Sequence, residues 1–273
     1  MVTPEPRFPL SSHMPGKTLD FVGATGRAAV RFAATVGEWG VLMQDTIRGL
    51  RAVRIWGKLV FEQMMRIGVD SVPIALFIAA FTGIVLALQA SYTFTGAVPV
   101  YLVGSLVGKT MIIELGPVLT GLALAGRVGA SIAAELGTMR VTEQIDALET
   151  MAYDPAAYLV LPRVLAGAVM FPAVTLLASA LGIVAGWLTA IQLLEMSTPE
   201  FVRGLETFFV PFDVVFSVIK SFSFGLTVTS LGCFFGFRTR GGAAGVGRAA
   251  TSAVVASSMV ILVFDAFWAA VLL

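Results

Sequence analysis

Four ionisable side chains lie inside otherwise apolar stretches that are long enough to cross a membrane: Lys109, Glu114, Lys220 and Asp265. An isolated charge in hydrocarbon is costly, so such groups usually face a cavity or pair with one another. The chemistry they offer is electrostatic, since ammonium and carboxylate groups can bind, orient or gate a polar cargo. Lys109 could instead extend to the lipid headgroups. A Lys220–Asp265 or a Lys220–Glu114 pair would lower the cost, and the sequence does not decide between them.

Enzyme chemistry finds no support in the sequence. The single His13 and the single Cys233 leave no nucleophile–base pair and no metal cluster. Residues 242–249 resemble a phosphate-binding loop of the GxxxxGK[ST] type, but Arg248 replaces the Lys, Ala249 replaces the Ser/Thr, and a membrane span precedes the loop instead of a strand. We therefore expect no catalytic residue, metal or cofactor in this chain, and any use of ATP must come from another subunit.

The composition is that of an integral membrane protein. Of 273 residues, 57% are hydrophobic and 13% are charged, whereas soluble domains carry about 25% charged residues. The net charge of +1 gives no basic surface for nucleic acid. A span needs about 20 apolar helical residues, which predicts five transmembrane helices. They cover residues 71–94, the stretch after Pro99 to about Gly126 with a bend near Gly116-Pro117, and residues 164–194, 214–237 and 249–273.

Residues 17–66 differ from the spans, because charged residues interrupt apolar ones that recur at spacings of three and four. This pattern predicts one or two amphipathic helices that suit the membrane interface. The expected fold is all-α and integral to the membrane: an N-terminal interfacial amphipathic helix, five transmembrane helices, and a short cytoplasmic helix between the second and third spans. Residues 1–66 would form the cytoplasmic tail and interfacial helix, and residues 67–273 the five-span domain.

The Lys and Arg residues predict the orientation, since they collect in cytoplasmic loops. Fifteen of the eighteen lie in the first 66 residues, the 127–163 loop or the 238–248 loop, whereas the 195–213 loop holds only Arg203. The N-terminus is therefore expected in the cytoplasm and the C-terminus on the outer side.

Two short helices are predicted outside the spans. Ser197-Thr198-Pro199-Glu200 in the outer loop has the pattern of a helix start. Residues 142–153 form the other helix, which is too short to be stable unsupported and is either a surface helix or a docking helix for a cytoplasmic partner. The residues expected at this contact are Glu143, Gln144, Ile145, Asp146, Leu148, Glu149 and Met151.

A stripe of small residues recurs every four positions, at Gly121, Ala125, Gly129, Ala133 and Gly137. Small residues let another helix backbone approach closely. Packing within the chain is the first interpretation of this stripe, and a dimer seam is a further hypothesis.

Two long stretches resemble a known family. The sequence ELGPVLTGLALAGRVGASIAAELGTMRVTEQIDALETMAYDP, residues 114–155, is similar to the signature region of the MlaE/YrbE-type permeases of lipid ABC transporters. The sequence SFSFGLTVTSLGCFFGFRTRGGAAGVGRAATSAVVASSMVILVFDAF, residues 221–267, resembles the C-terminal pattern of the same family. The similarity runs from about residue 40 to the end and leaves out residues 1–20.

The resemblance implies a homodimeric permease of the bacterial inner membrane, with no nucleotide site of its own. A cytoplasmic ABC ATPase similar to MlaF would hold ATP and Mg²⁺ and dock on the helix from Glu143 to Tyr153. A hexameric periplasmic MCE protein similar to MlaD and, in the Mla system, a STAS-domain protein similar to MlaB would complete the complex. The implied cargo is phospholipid, moved between the inner and outer membranes to maintain outer-membrane asymmetry. The lipid path or gate would comprise Glu114, Lys220, Asp265, Leu86, Tyr92, Tyr101 and Leu115.

Two other functions fit part of the sequence. An ion-coupled secondary transporter would use the same buried charges without an ATPase, but such transporters often carry internal repeats, and we find none in the sequence. A scaffold that only organises a complex would not need charges in its spans.

Overall fold

A computed structural model describes residues 16–50, 53–93, 99 and 101–272. Within these ranges the chain is helical and has no strand, which confirms the all-α prediction. Contacts divide the chain into two units, one ending at Leu42 and the other beginning at Met43.

Eleven α-helices are present in the described part of the chain. They are α1 (Gly16–Gly49), α2 (Val53–Ile67), α3 (Val72–Thr93), α4 (Leu102–Thr110), α5 (Gly116–Leu124), α6 (Ala130–Val141), α7 (Gln144–Thr150), α8 (Leu161–Leu193), α9 (Thr198–Phe208), α10 (Pro211–Phe237) and α11 (Gly242–Leu272). Three π-helical turns, Met111–Leu115, Ala125–Gly129 and Ala156–Val160, and a 3-10 turn, Val69–Ser71, join some of them into longer segments.

Five helical segments among the described residues are long and apolar enough to cross a membrane. They are Trp56–Thr93, Leu102–Val141, Ala156–Leu193, Pro211–Phe237 and Gly242–Leu272. Together with the N-terminal helix α1 and the short α7 between the second and third spans, they confirm the predicted fold class. The amphipathic N-terminal region forms two helices, α1 and α2, and the domain boundary after residue 66 stays a prediction.

The second span is longer than the sequence predicted. The prediction ended it near Gly126 and assigned residues 127–163 to a loop, whereas the helix continues to Val141. Charged residues mark the end of the apolar part of a segment, but they do not end the helix. Arg127 lies 4.0 Å from Asp70 in the 3-10 turn, and Glu135 pairs with Arg163 of α8, so both charges have partners while the helix continues.

Helix α8 lies between α3 and α10, and glycines set both contacts. A Cβ atom on Gly83 of α3 would collide with the backbone carbonyl of Gly182 in α8, and one on Gly225 of α10 would collide with the carbonyl of Gly167 in α8. Without side chains, the helix backbones meet closely, as small residues allow in membrane proteins. Helix α10 also packs against α6 and α11, so spans two to five share one core.

The small-residue stripe of the second span packs inside the chain. All five of its residues are buried. An ideal Cβ on Gly121 would lie 3.0 Å from Phe224, and one on Gly129 would lie 3.3 Å from Val228, both in α10. These contacts favour packing within the chain and leave the stripe no open face for a second copy.

Candidate functional site

Lys220 is completely enclosed, and its ammonium group has three oxygen partners. Nζ donates to Glu114 Oε2 at 2.7 Å and to the backbone carbonyl of Ile113 at 3.2 Å, and it forms an ion pair with Asp265. The ring of Phe216 lies 5.0 Å from Nζ. The two pairings that the sequence left open therefore occur together. We call Glu114, Lys220 and Asp265 the ion triad, which joins the second, fourth and fifth spans.

The carbonyl of Ile113 is available to Lys220 because of Pro117. In a regular α-helix the N–H of residue 117 would donate to this carbonyl, but proline has no N–H. The π-helical turn Met111–Leu115 directly precedes Gly116-Pro117, at the predicted bend. Lys220 Nζ donates to this carbonyl at 3.2 Å. A backbone carbonyl of the irregular turn before the proline therefore serves as a partner for the lysine of the fourth span.

The three charged residues lie at similar depths in their helices. At 1.5 Å per residue, Glu114 is about 18 Å from the start of α4, Lys220 about 14 Å from the start of α10, and Asp265 about 11 Å from the end of α11. All three helix ends are on the side that the charge distribution predicts to be the outer side. The triad therefore lies well inside the apolar segments of the second, fourth and fifth spans, which a hydrocarbon core of about 30 Å would enclose.

Glu114 is the most exposed residue of the ion triad. Its side chain is 43% exposed, compared with 15% for Asp265 and 0% for Lys220. A carboxylate at this depth cannot face lipid acyl chains without a large free-energy cost. The exposed side of Glu114 therefore requires a polar compartment or a polar ligand in the assembled protein.

A hydrogen bond beside the triad ties α11 to α10. Trp268 Nε1 donates to Ser223 Oγ at 3.0 Å, and Ser223 Oγ donates to the carbonyl of Lys220 at 2.7 Å. Trp268 follows Asp265 by about one turn, so the bond holds the two helices at the register that the ion pair needs. This contact was not predicted from the sequence. The available signal was a tryptophan one turn from a membrane-embedded carboxylate, since a buried indole N–H needs an acceptor.

The other residues predicted for the lipid path are spread over several elements. Leu115 follows Glu114 in the first π-helical turn, and Leu86 is half-buried in α3. Tyr92, near the end of α3, is 86% exposed. Tyr101 lies under the guanidinium group of Arg203, 5.3 Å from the ring centre, and so contacts α9. The role of these four residues in a lipid path stays a prediction.

Lys109, the fourth charge inside a predicted span, lies apart from the ion triad. Its ammonium group is 3.9 Å from the carboxylate of Asp213, and its side chain is 45% exposed. Asp213 Oδ2 also accepts the backbone N–H of Val210 at 3.3 Å, at the start of α10. Lys109 thus has a carboxylate partner near a helix terminus, which fits a lysine close to the membrane surface.

A second group of charges, which was not predicted from the sequence, joins α2, α6 and α8. Arg163 is 3% exposed; it donates to the carbonyl of Leu159 at 2.6 Å and pairs with Glu135 at 3.0 Å. Glu135 also lies 3.5 Å from Arg66, which pairs with Glu62 at 3.0 Å. The glutamate therefore bridges a buried arginine and a surface arginine.

Arg127 extends this group along the second span. It lies in the π-helical turn Ala125–Gly129, donates to Ser71 Oγ at 2.5 Å and to the carbonyl of Arg66 at 3.2 Å, and approaches Asp70 at 4.0 Å. The inner cluster, named for its predicted cytoplasmic side, consists of Glu62, Arg66, Asp70, Arg127, Glu135 and Arg163.

Helix α7, the predicted docking helix, is shorter than the sequence indicated. Ile145 is fully buried and Leu148 is half-buried, but Met151 follows the helix end and is 60% exposed. The predicted apolar face is therefore divided between the core and the surface. Asp146 forms an ion pair with Arg140 at the end of α6, so one of the predicted docking acids has a partner in the chain.

The five membrane-crossing segments, with charges buried between them, define an integral membrane protein. The chain belongs to the MlaE permease family, since the model described as Permease MlaE matches residues 60–271. This membership confirms the resemblance found in the sequence. It also favours an ABC transporter role over an ion-coupled secondary transporter.

Three relatives show how far the similarity extends. The chain is 37% identical over 245 residues to a probable ABC transporter permease protein of Rickettsia felis, covering 90% of this chain and 95% of that protein. It is 32% identical over 248 residues to the intermembrane phospholipid transport system permease protein MlaE of Haemophilus influenzae, covering 90% and 95%. It is 34% identical over 232 residues to protein TRIGALACTOSYLDIACYLGLYCEROL 1, chloroplastic, of Arabidopsis thaliana, covering 83% and 66%.

Proposed function

We propose that this chain is the permease subunit of an ATP-driven transporter that moves phospholipid between the inner and outer membranes and so maintains outer-membrane lipid asymmetry. Family membership supports the permease role, and the name of the Haemophilus influenzae relative supports the cargo class. The observation that carries the proposal is the ion triad, because a partly exposed carboxylate in mid-membrane needs a polar compartment, and a lipid headgroup in transit needs one as well.

Two copies of the chain would enclose this compartment. In the most apolar stretches of the first and fifth spans, only 28% and 11% of the residues are buried within the chain. Apolar faces of this extent contact lipid or another subunit. In the proposed homodimer the first, second and fifth spans wall an outward-facing cavity, in which acyl chains lie along apolar side chains and the headgroup lies at the level of Glu114.

ATP hydrolysis would take place in a cytoplasmic ABC ATPase that holds ATP and Mg²⁺ and docks on α7. Ile145 anchors α7 in the core, and the Arg140–Asp146 ion pair fixes it to α6. Met151 and Tyr153, 60% and 47% exposed, offer an apolar contact to the ATPase. Because α6 belongs to the same helical segment as Glu114, a displacement of α7 by the ATPase would be transmitted along this segment to the lipid compartment.

The remaining partners follow from the proposed route. A hexameric MCE protein on the periplasmic face would receive or deliver the lipid, and a STAS-domain protein would bind the ATPase. The permease would lie in the bacterial inner membrane with its N-terminus in the cytoplasm and its C-terminus in the periplasm. The charge distribution of the loops supports this orientation.

Glu149→Lys tests the docking helix. Glu149 is exposed on α7, whereas substitution of Asp146 would also break the ion pair with Arg140. We expect at least a tenfold loss of ATPase association in pull-down titrations, with a matching loss of ATP-dependent lipid transfer, because the charge at the contact is reversed. Glu206→Lys, the same exchange on the exposed surface of α9, should leave the ATPase association unchanged. Full association and transfer in the Glu149→Lys variant would overturn the docking assignment.

Co-purification tests the proposal as a whole. The tagged permease should bring an ATPase, a six-fold MCE ring and bound phospholipid through detergent extraction. A complex without an ATPase, or one that neither binds nor transfers phospholipid, would refute the proposed function.

A further inference from the structure

Lys220 is not accessible to a cargo. Nζ donates to Glu114 and to the carbonyl of Ile113, and it forms an ion pair with Asp265. Its side chain is fully enclosed, so a lipid phosphate cannot reach it. The one cation of the ion triad is therefore occupied inside the protein.

The ion triad consequently presents negative charge. It contains two carboxyl groups for one ammonium group, so its formal charge is −1 when all three are ionised, and it is neutral when one carboxyl group is protonated. Lys109 does not supply the missing cation, because it already lies 3.9 Å from Asp213. Glu114 is the most exposed member of the triad and the one that can meet a ligand.

We propose that Glu114 makes the lipid compartment select phospholipids whose headgroup carries a primary ammonium group, such as phosphatidylethanolamine, over those with a purely anionic headgroup, such as phosphatidylglycerol. This inference rests on the proposed function and names the substrate class within it. The ammonium group would donate to the Glu114 carboxylate and balance the excess charge of the triad. An anionic headgroup would bring a second negative charge to the same place without a donor of that strength.

The expected selectivity is modest, because Glu114 is partly open to its surroundings. Hydrogen bonds to charged groups are among the stronger ones in proteins, but exposure and screening weaken them. We expect the bound lipid to be enriched in phosphatidylethanolamine over phosphatidylglycerol by about threefold to tenfold relative to the surrounding bilayer.

The test uses the intact transporter, comprising the permease, its ATPase and its MCE protein. The complex is reconstituted into vesicles with equal amounts of the two phospholipids. Bound lipid is extracted and quantified by mass spectrometry, and ATP-dependent transfer of each labelled lipid is measured separately. The wild-type ratio requires no substitution, so a folding defect cannot obscure it. Equal binding and equal transfer of the two lipids would overturn the inference and leave the proposed function standing. Absence of binding and transfer for both would instead refute the proposed function.

Glu114→Gln assigns the selectivity to this carboxylate. Lys220 retains Asp265 and the carbonyl of Ile113 in this variant, and the amide oxygen can still accept from it. The lipid ratio should fall to about one, because the charge that distinguishes the headgroups is gone. Glu206→Gln removes a carboxylate from the surface of α9 and should keep the wild-type ratio. An unchanged ratio in Glu114→Gln would show that the selectivity arises elsewhere and would refute the role of Glu114.

Discussion

The ion triad and the inner cluster both enclose a cation, but their charge balance differs. Lys220 and Arg163 have side chains that are 0% and 4% exposed. The inner cluster matches three arginines with three carboxylates, whereas the triad has one lysine for two carboxylates. In a balanced cluster, every charge has an opposite charge within the chain. In an unbalanced cluster with an exposed carboxylate, a ligand or another subunit must supply the missing positive charge. Charge balance therefore distinguishes a structural ion network from a candidate binding site.

Both clusters are attached to the second span at a π-helical turn. Glu114 lies in the turn Met111–Leu115, and Arg127 lies in the turn Ala125–Gly129. Such turns are often found at functional sites, since the extra residue changes which way the following side chains point. The second span thus carries one irregular turn for each cluster. Movement of the inner cluster would be transmitted to the triad through the short helix α5 between the two turns.

The largest expected effect comes from removing the cation of the triad. Lys220→Met leaves two carboxylates facing each other and the carbonyl of Ile113 without its donor. We expect the stability of the permease to fall by about 3–5 kcal/mol, as for other broken buried ion pairs. Thermal unfolding in detergent, followed by the loss of monodisperse protein, measures it.

A variant without any charge in the ion triad tests whether the triad serves stability or transport. The triple variant Glu114→Gln, Lys220→Met and Asp265→Asn removes the unpaired charges and should recover stability to within about 2 kcal/mol of the wild type. It should still fail to select or transfer lipid. Full transfer by this variant would show that the triad has only a structural role and that the contrast between the two clusters is wrong.

A smaller effect is expected from the inner cluster. Glu135→Gln removes the carboxylate that bridges Arg163 and Arg66, but Arg163 keeps the carbonyl of Leu159 and Arg66 keeps Glu62. We expect the stability of the permease to fall by about 1–3 kcal/mol, since the glutamate side chain is 40% exposed. Lipid transfer per folded complex should stay at the wild-type value. A drop in transfer beyond the loss of folded protein would assign this cluster a part in transport.

Arg66→Gln is the matched control for Glu135→Gln. It breaks the pairs with Glu62 and Glu135, but the Arg66 side chain is 55% exposed. Surface pairs contribute little, so the loss should stay below about 1 kcal/mol. Equal losses in the two variants would mean that the burial of Arg163 adds nothing to the inner cluster.

The sequence predicted the spans well, because hydropathy is a local property. It predicted their ends less well, because ends depend on distant partners. Arg127 and Glu135 indicated a loop, yet residues of α2, the following turn and α8 hold them in the helix. For the same reason the sequence identified the charges of the ion triad but could not pair them. Three helices far apart in the chain had to meet before Lys220 could be shown to bind both carboxylates.

Local signals indicated two further features. The motif Ser197-Thr198-Pro199-Glu200 indicated a helix start, and α9 begins there with reciprocal Ser197 and Glu200 hydrogen bonds. The π-helical turn Met111–Leu115 directly precedes Gly116-Pro117, where the sequence indicated an irregularity, and the bend itself stays a prediction. Neither feature needs a distant partner, which explains why sequence reasoning found it.

The smallest expected effect comes from the hydrogen bonds between Ser197 and Glu200, which lie outside both clusters. Their contribution gives the reference value for an exposed contact. Ser197 Oγ donates to Glu200 Oε2 at 2.7 Å, and the backbone N–H of Ser197 donates to the same oxygen at 3.0 Å. These bonds from Ser197 hold the pKa of the fully exposed Glu200 below its ordinary value of 4.5. Ser197→Ala should lower the melting temperature by about 1–2 °C at neutral pH.

The pH dependence of this effect follows from the direction of the pKa shift. Because the pKa of Glu200 is lower in the folded state than in the unfolded state, its stabilisation is present above pH 4.5 and is lost as the pH falls through the folded-state pKa. The difference in melting temperature between wild type and Ser197→Ala should therefore be constant near neutral pH and shrink below about pH 4.5. A difference that grows on acidification would contradict the capping contact. If Ser197→Ala lowered the stability as much as Lys220→Met does, burial would not explain why some charged contacts of this permease are strong and others weak.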